Sequence, residues 1–235
     1  MSITEGTQPG NKTWTGAWTT AQTSASFTPE AGALLVAIVS GAGTAGTPTV
    51  AITDSLSGSW TQLRLANAQT GTEQAVSGVW CRDSPNASMT VSATGTGTGN
   101  GGQLTVRTLI GALAAASQPG ATNSTQADPG TQQVSVAAGT GNKIYGGAVN
   151  WSTSTAMTVL ANTTSIVAVV DSTNGDNWAA FKSTGDTAGT ATYGYSTSTS
   201  GNICAVEIKA SVAAATATPG AIVTPNTAVQ RSYTW

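Results

Sequence analysis

Histidine is absent from the 235 residues of this chain, and only 8% of them carry charge. Imidazole supplies most general acid–base chemistry and many metal ligands, so those routes close before any motif is read. The eight Lys and Arg are scattered singly. They form no basic stripe for nucleic acid and no patch for anionic lipid. Long hydrophobic runs are also missing: the longest, residues 33–39, has the length of a strand and is far short of a membrane-spanning helix. The first residues are polar, with Glu5 and Lys12, and the expectation is a protein made in a cytoplasm without a signal peptide. Helical periodicity fails as well, since only residues 111–117 have helical composition, and they are short and uncapped. Cysteine occurs twice, as Cys81 and Cys204 in apolar strand-like runs. Two small buried thiols are expected there, and their pairing stays open.

What is present is Thr, Ser, Gly, Ala and Asn, with 39% hydrophobic residues and seven Trp. That supports a real core and excludes disorder. Thr, Val and Ile alternate with small residues, and Gly, Asn, Asp and Pro punctuate at short intervals, as in residues 76–82, 104–110 and 203–210. The fold class predicted is all-β, a jelly-roll-like two-sheet sandwich over residues 14–210. Residues 1–13 precede it as an N-terminal extension. From Ser211 the texture changes, and Pro219 and Pro225 mark residues 211–235 as an extended C-terminal arm ending in Tyr233 and Trp235.

The chain echoes itself. "VAITDSLSGSW" at 50–60 matches "VAVVDSTNGDNW" at 167–178, and weaker counterparts flank both. Half-repeats of about 27–112 and 134–210 follow, read as two halves of one interlocked sandwich in preference to two small sandwiches side by side. In each copy the Asp, Asp54 or Asp171, is expected to form an Asx-turn. Gly58 and Gly175 are expected to supply positive φ, and Trp60 and Trp178 to seal the hairpin, the two hairpins occupying equivalent places. The second copy also offers Asp171 and Asp176, with Asp186 nearby, as calcium ligands. The first copy keeps one carboxylate, so the turn is the feature they share, and no metal is expected.

Trp14, Trp18 and Trp151 lie among small polar residues and are candidates for stacking on sugar rings; the competing reading buries them in the core. Catalysis finds no constellation. A carboxylate pair such as Glu73 and Glu207 is not singled out by anything, no histidine serves a hydrolase triad, and the glycines at 95–102 lack the lysine and helix of a phosphate loop. The expectation is no enzyme and no cofactor.

The succession "SFTPEAGALLVAIVSG", "VAITDSLSGSWTQL", "GVWCRDSPNASMTVSATG" and "LTVRTLIGA" resembles all-β virion proteins of tailed phages, especially phages of actinobacteria. The resemblance rests on order and texture over most of 14–210. It implies a capsid decoration or minor tail protein, with homo-oligomeric and virion partners, no nucleic acid or membrane, and contact with host-surface polysaccharide as the alternative. It carries no fixed functional residues.

Overall fold

The computed structural model describes residues 2–44, 49–70, 73–96, 99–151 and 153–211. The C-terminal arm beyond Ser211, with Tyr233 and Trp235, lies outside the described residues. Among the described ones every element but a single 3-10 turn (Ala115–Ser117) is a strand, so the chain is all-β. The first half contributes β1 (Thr4–Glu5), β2 (Asn11–Thr15), β3 (Gln22–Thr23), β4 (Leu34–Gly43), β5 (Val50–Asp54), β6 (Thr61–Thr70), β7 (Glu73–Asp83), β8 (Val91–Gly95) and β9 (Gly99–Ile110). The second contributes β10 (Thr122–Trp151), β11 (Thr163–Asp171), β12 (Asp176–Ser183) and β13 (Thr187–Ile208).

In the first half β1 and β2 run along one side of β9, followed by β4, β7 and β6, while β3, β8 and β5 form a small second sheet. In the second half β10 and β13 are long enough to serve two sheets, and register shifts divide them. Residues 122–127 and 143–151 of β10 flank residues 200–208 of β13, then β12 and β11 follow outward. Residues 133–138 pair instead with 189–194, next to the bridge Val159↔Tyr195. The strand order of the large sheet and that of the small one are therefore the same in both halves.

A bulge fixes the equivalence residue by residue. Leu63 is the extra residue between the pairs Gln62↔Trp80 and Arg64↔Val79, and Ile166 is the extra residue between Ser165↔Phe181 and Val167↔Ala180. Trp80 thus corresponds to Phe181 and, through the ladders, Val36 to Tyr145 and Gln103 to Asn202. A jelly roll proper has eight strands in two four-stranded sheets. Here the fifth strand of the half, β6, stays hairpinned to β7 in the large sheet and does not join β5 in the small one.

The layers number four, more than the two expected of one interlocked sandwich. Trp18, Leu35, Trp80, Met89 and Leu104 fill the space between large and small sheets of the first half. Ile144, Phe181, Tyr193, Tyr195 and Ile203 do the same in the second. A third cluster, with Val36, Ile38, Val79, Tyr145, Val206 and Ile208, joins the two large sheets back to back. This explains why β4, "LLVAIVSGAG", is buried along its whole length: a strand covered on both faces reads as a continuous apolar run, not an alternation. The stacking is close to two-fold. Asn11 Nδ2 on β2 reaches the Ile166 carbonyl at 3.4 Å, and Arg64 beside the equivalent bulge reaches Ser124 Oγ at 2.6 and 3.0 Å. Ser124 and Asn11 are themselves equivalent positions. Residues 4–5 and 11–13, set apart from the sequence as an extension, belong to the sheet; their polar pattern is that of an edge.

Candidate functional site

The Asp54 turn is the densest polar node of the first half. Its Oδ1 accepts the Leu56 amide at 2.8 Å and the Gly58 amide at 3.3 Å, and its Oδ2 accepts Trp60 Nε1 at 2.7 Å and the Arg82 guanidinium. Burial raises the carboxyl's pKa, but Arg82 and these donors outweigh it and hold the group below its usual range. Gly58 does not supply the positive φ; Ser57 does, at 55°. A Cβ at 58 would meet the Arg82 guanidinium, so a larger residue there would displace that head group from its present place. Arg82, 28 residues away, was not visible as a partner in the sequence.

Asp171 also forms an Asx-turn, accepting the Thr173 amide at 3.0 Å and Asn174 Nδ2 at 2.7 Å, and Gly175 takes φ 74°. Trp178 is fully buried in the cluster between the halves, whereas Trp60 is half-buried over the first core. The two turns are not equivalent. Asp54 ends a strand of the small sheet, whose place in the second half is taken by the bridge at Val159; Asp171 closes a hairpin of the large sheet, where its counterpart is Ala68.

The three acids considered for calcium separate. Asp171 and Asp176 face each other across the β11–β12 turn, but Asp186 lies beyond the far end of β12, bound to Lys143 at 2.9 Å and to Ser2 Oγ. Asp176 is buried and accepts Asn100 Nδ2 at 2.6 Å, a tie between the halves. The tryptophan platform separates as well. Trp18 is buried, stacked edge-on against Trp14 with centroids 5.9 Å apart, and Trp151 is buried in the cluster between the large sheets. Only Trp14 of the three keeps part of its ring at the surface. Trp14 and Trp18 do come together, but packed into a wall and not as a flat stacking face.

Cys81 and Cys204 are free, buried thiols in the same inter-sheet cluster. Burial pushes them up to about 12 and about 11, so neither is a thiolate nucleophile. Glu207 serves as a clamp: Oε2 accepts the Ala121 amide and Oε1 accepts Asn142 Nδ2, both at 2.6 Å. Burial raises its pKa, yet the donors prevail and lower it. Sequence reasoning missed a charged cluster where the halves meet. Glu5 pairs with Lys182 at 2.9 Å and Arg107 at 3.9 Å and accepts the Tyr145 hydroxyl at 3.1 Å, beside a cleft of about 250 Å³. Its members come from β1, β9, β10 and β12, and no local spacing links them. Asp54, Glu5 and Glu207 each hold a cation or several amide donors, an arrangement that ties strands together. Comparison of the chain with known protein families, curated proteins and solved structures finds no match.

Proposed function

We propose that the chain is a non-enzymatic structural protein of a phage particle, displayed on the virion surface as a capsid decoration protein or a minor tail protein. The observation that supports this most is where the few charges are used. Asp54–Arg82, Glu5–Lys182 and Lys143–Asp186 join strands of one molecule, and the Glu30 and Glu207 carboxylates bind backbone amides. The outer faces are mostly uncharged, as at Asn11, Thr13 and Thr15 of β2 and Thr164, Ser165 and Ala168 of β11. A surface of such low ionic character suits broad contacts in a crowded assembly and would serve poorly for keeping free monomers apart. The resemblance to tailed-phage virion proteins agrees with this reading. Glycan contact, the alternative, loses Trp18 and Trp151 to the interior.

The test is quantitative protein analysis of purified particles of the source phage. The expected result is the chain present in fixed stoichiometry to the major head or tail subunit, the ratio assigning it to one of them. Its absence from purified particles, with abundance in the lysate, overturns the proposal.

A further inference from the structure

Asparagine precedes glycine at two places in the chain, Asn100–Gly101 and Asn174–Gly175. Such a pair can modify itself. With no side chain on the second residue, its backbone nitrogen can close on the asparagine Cγ. The N–Cγ bond forms, the Cγ–Nδ2 bond breaks, and the side-chain nitrogen leaves as ammonia with the proton of the glycine amide. Water then opens the five-membered imide at either carbonyl, giving aspartate or isoaspartate. Conformation decides which pair reacts, because the glycine nitrogen must swing onto its neighbour's side chain. Asn100 is half-buried in β9, where its carbonyl accepts the Gly16 amide at 2.7 Å and its Nδ2 donates to Asp176 Oδ2 at 2.6 Å. The ladder continues through Gly101, paired with Thr15 on one side and Ala42 on the other. Asn174 is exposed, in the turn 172–175 between β11 and β12, and Gly175 takes φ 74°. One residue holds both reacting groups there. Asp171 Oδ1 accepts the Asn174 amide at 3.4 Å, its Oδ2 accepts Asn174 Nδ2 at 2.7 Å, and its carbonyl accepts the Gly175 amide at 2.9 Å.

We infer that Asn174 is a site of spontaneous deamidation, and that its product loosens the end of the seam between the two halves. Opening one turn at the surface frees the Asn174 side chain and the Gly175 nitrogen together, whereas Asn100 reacts only when β9 parts from β2 and β4. The product reverses the chemistry of the turn. Asn174 Nδ2 is a donor to Asp171, and a carboxylate in its place repels that buried acid. Isoaspartate also adds a methylene to the main chain and lengthens the turn. Asp171 is paired across the hairpin with Asp176, and like charges added at a closing pair weaken it. Asp176 Oδ2 in turn holds Asn100 of the first half, so the disturbance at position 174 is one residue pair away from a tie across the seam. The inference concerns chemistry that the chain performs on itself, and it stands apart from the particle role proposed above.

The experiment ages the full chain in mildly alkaline buffer and maps amide loss and isoaspartate by peptide mass spectrometry. Position 174 should convert roughly tenfold faster than position 100 in the native protein, and unfolding in urea should bring the two rates together. No conversion at 174, or equal rates at the two positions in the native protein, overturns the inference. The consequence is read in Asn174→Asp, with Asn174→Gln as the uncharged control. Asn174→Asp should melt below both the control and the wild type, and amide exchange at residues 99–102 should quicken. Adding Asp171→Asn should recover most of the loss, the signature of charge repulsion and not of a damaged turn. Exchange at 99–102 that stays unchanged, or a loss that Asp171→Asn leaves in place, overturns the link from the turn to the seam.

Discussion

In the first half Trp80 projects from β7 into a core shared with Trp18 and Met89; in the second the equivalent place on β12 holds Phe181, packed edge-on against Tyr195 at 6.0 Å. The two cores are chemically different, yet both are closed by the same strand order and the same bulge. A second contrast concerns the first strand of each half. In both, a carboxylate clamps the backbone just after a glycine that donates to the neighbouring strand: Glu30 accepts the Thr7 amide and Glu207 the Ala121 amide, beside Gly6 and Gly120. A Cβ on either glycine would strike that carboxylate. The acid comes from the loop before β4 in one half and from β13 in the other. Pairing order and the places that need a polar tie are thus repeated, while the residue that fills each place is free to change.

The face where the halves meet allows the least change, and the largest expected effect lies there. Trp178 is fully buried between the large sheets, so Trp178→Ala should cost about 3–5 kcal/mol in a denaturant melt. Its counterpart in the first half is Ser77, buried in the same seam. If the halves are one cooperative unit through this seam, the wild type unfolds in a single transition and the variant shows two or a lowered one. A wild type that unfolds in two steps would break the picture of a shared seam.

Asn202 sharpens the comparison. Its amide donates to the Ala66 and Ala75 carbonyls at 3.1 and 3.0 Å, and its oxygen accepts Ser77 Oγ, all across the seam. Gln103, the equivalent residue, bonds Ser40 Oγ at 2.8 Å and Thr105 Oγ1. Asn202→Ala strands buried carbonyls and should cost about 2–3 kcal/mol. Gln103→Ala should cost less, because Ser40 Oγ keeps its donation to the Ala179 carbonyl and the Thr105 hydroxyl can turn to Asn11 Oδ1. Equal costs would mean that the seam does not distinguish its two amides.

How much of this was legible follows from which signals are local. Strand content was plain because alternation and turn residues act over a few positions. Flanking echoes such as "LTVRTLIGA" against "ICAVEIKA" also fall on equivalent strands, β9 and the end of β13. The most conspicuous echo misled. Asp-Ser turns recur because one side chain satisfying amides two residues on is a cheap local solution. Their likeness therefore reports turn chemistry and not descent of position, and Asp54 and Asp171 sit in different sheets. The buried tryptophans were misplaced for a related reason: Trp18 follows an edge strand of polar residues and inserts from there, with its Nε1 on the Ala42 carbonyl at 3.0 Å. The charged cluster around Glu5 needed tertiary contact to exist at all.

The two carboxylate clamps predict a modest acid sensitivity that differs between halves. Both carboxyls have pKa values lowered from the usual 4.5, so their stabilisation is present above that value and is lost as pH falls through the lower folded pKa. Glu207 is buried and held by the Ala121 and Gly139 amides and Asn142, whereas Glu30 is half-buried and held by Thr7. Glu207→Gln should therefore flatten the loss of melting temperature below about pH 4.5 visibly, and Glu30→Gln less, as read by thermal melts from pH 7 to 3. A larger change for Glu30→Gln would place the working clamp in the wrong half.

The smallest effect separates the two turns themselves. Asp54 binds two amides, an indole and Arg82, whose head group is left without its partner when the carboxylate is removed. Asp171 is buried and binds two amides and the side chain of Asn174, with no cation among the donors shown. Asp54→Ala should then cost about 2 kcal/mol and Asp171→Ala about 1 kcal/mol, since only the first strands a guanidinium as well as amides. The difference is also expected to vanish in the background of Arg82→Ala, because most of the excess at Asp54 comes from stranding that guanidinium. A double-mutant cycle measured by urea unfolding decides it. Equal costs for the two aspartates would restore the equivalence that strand order denies them, and an excess that survives Arg82→Ala would move its origin to the Trp60 contact.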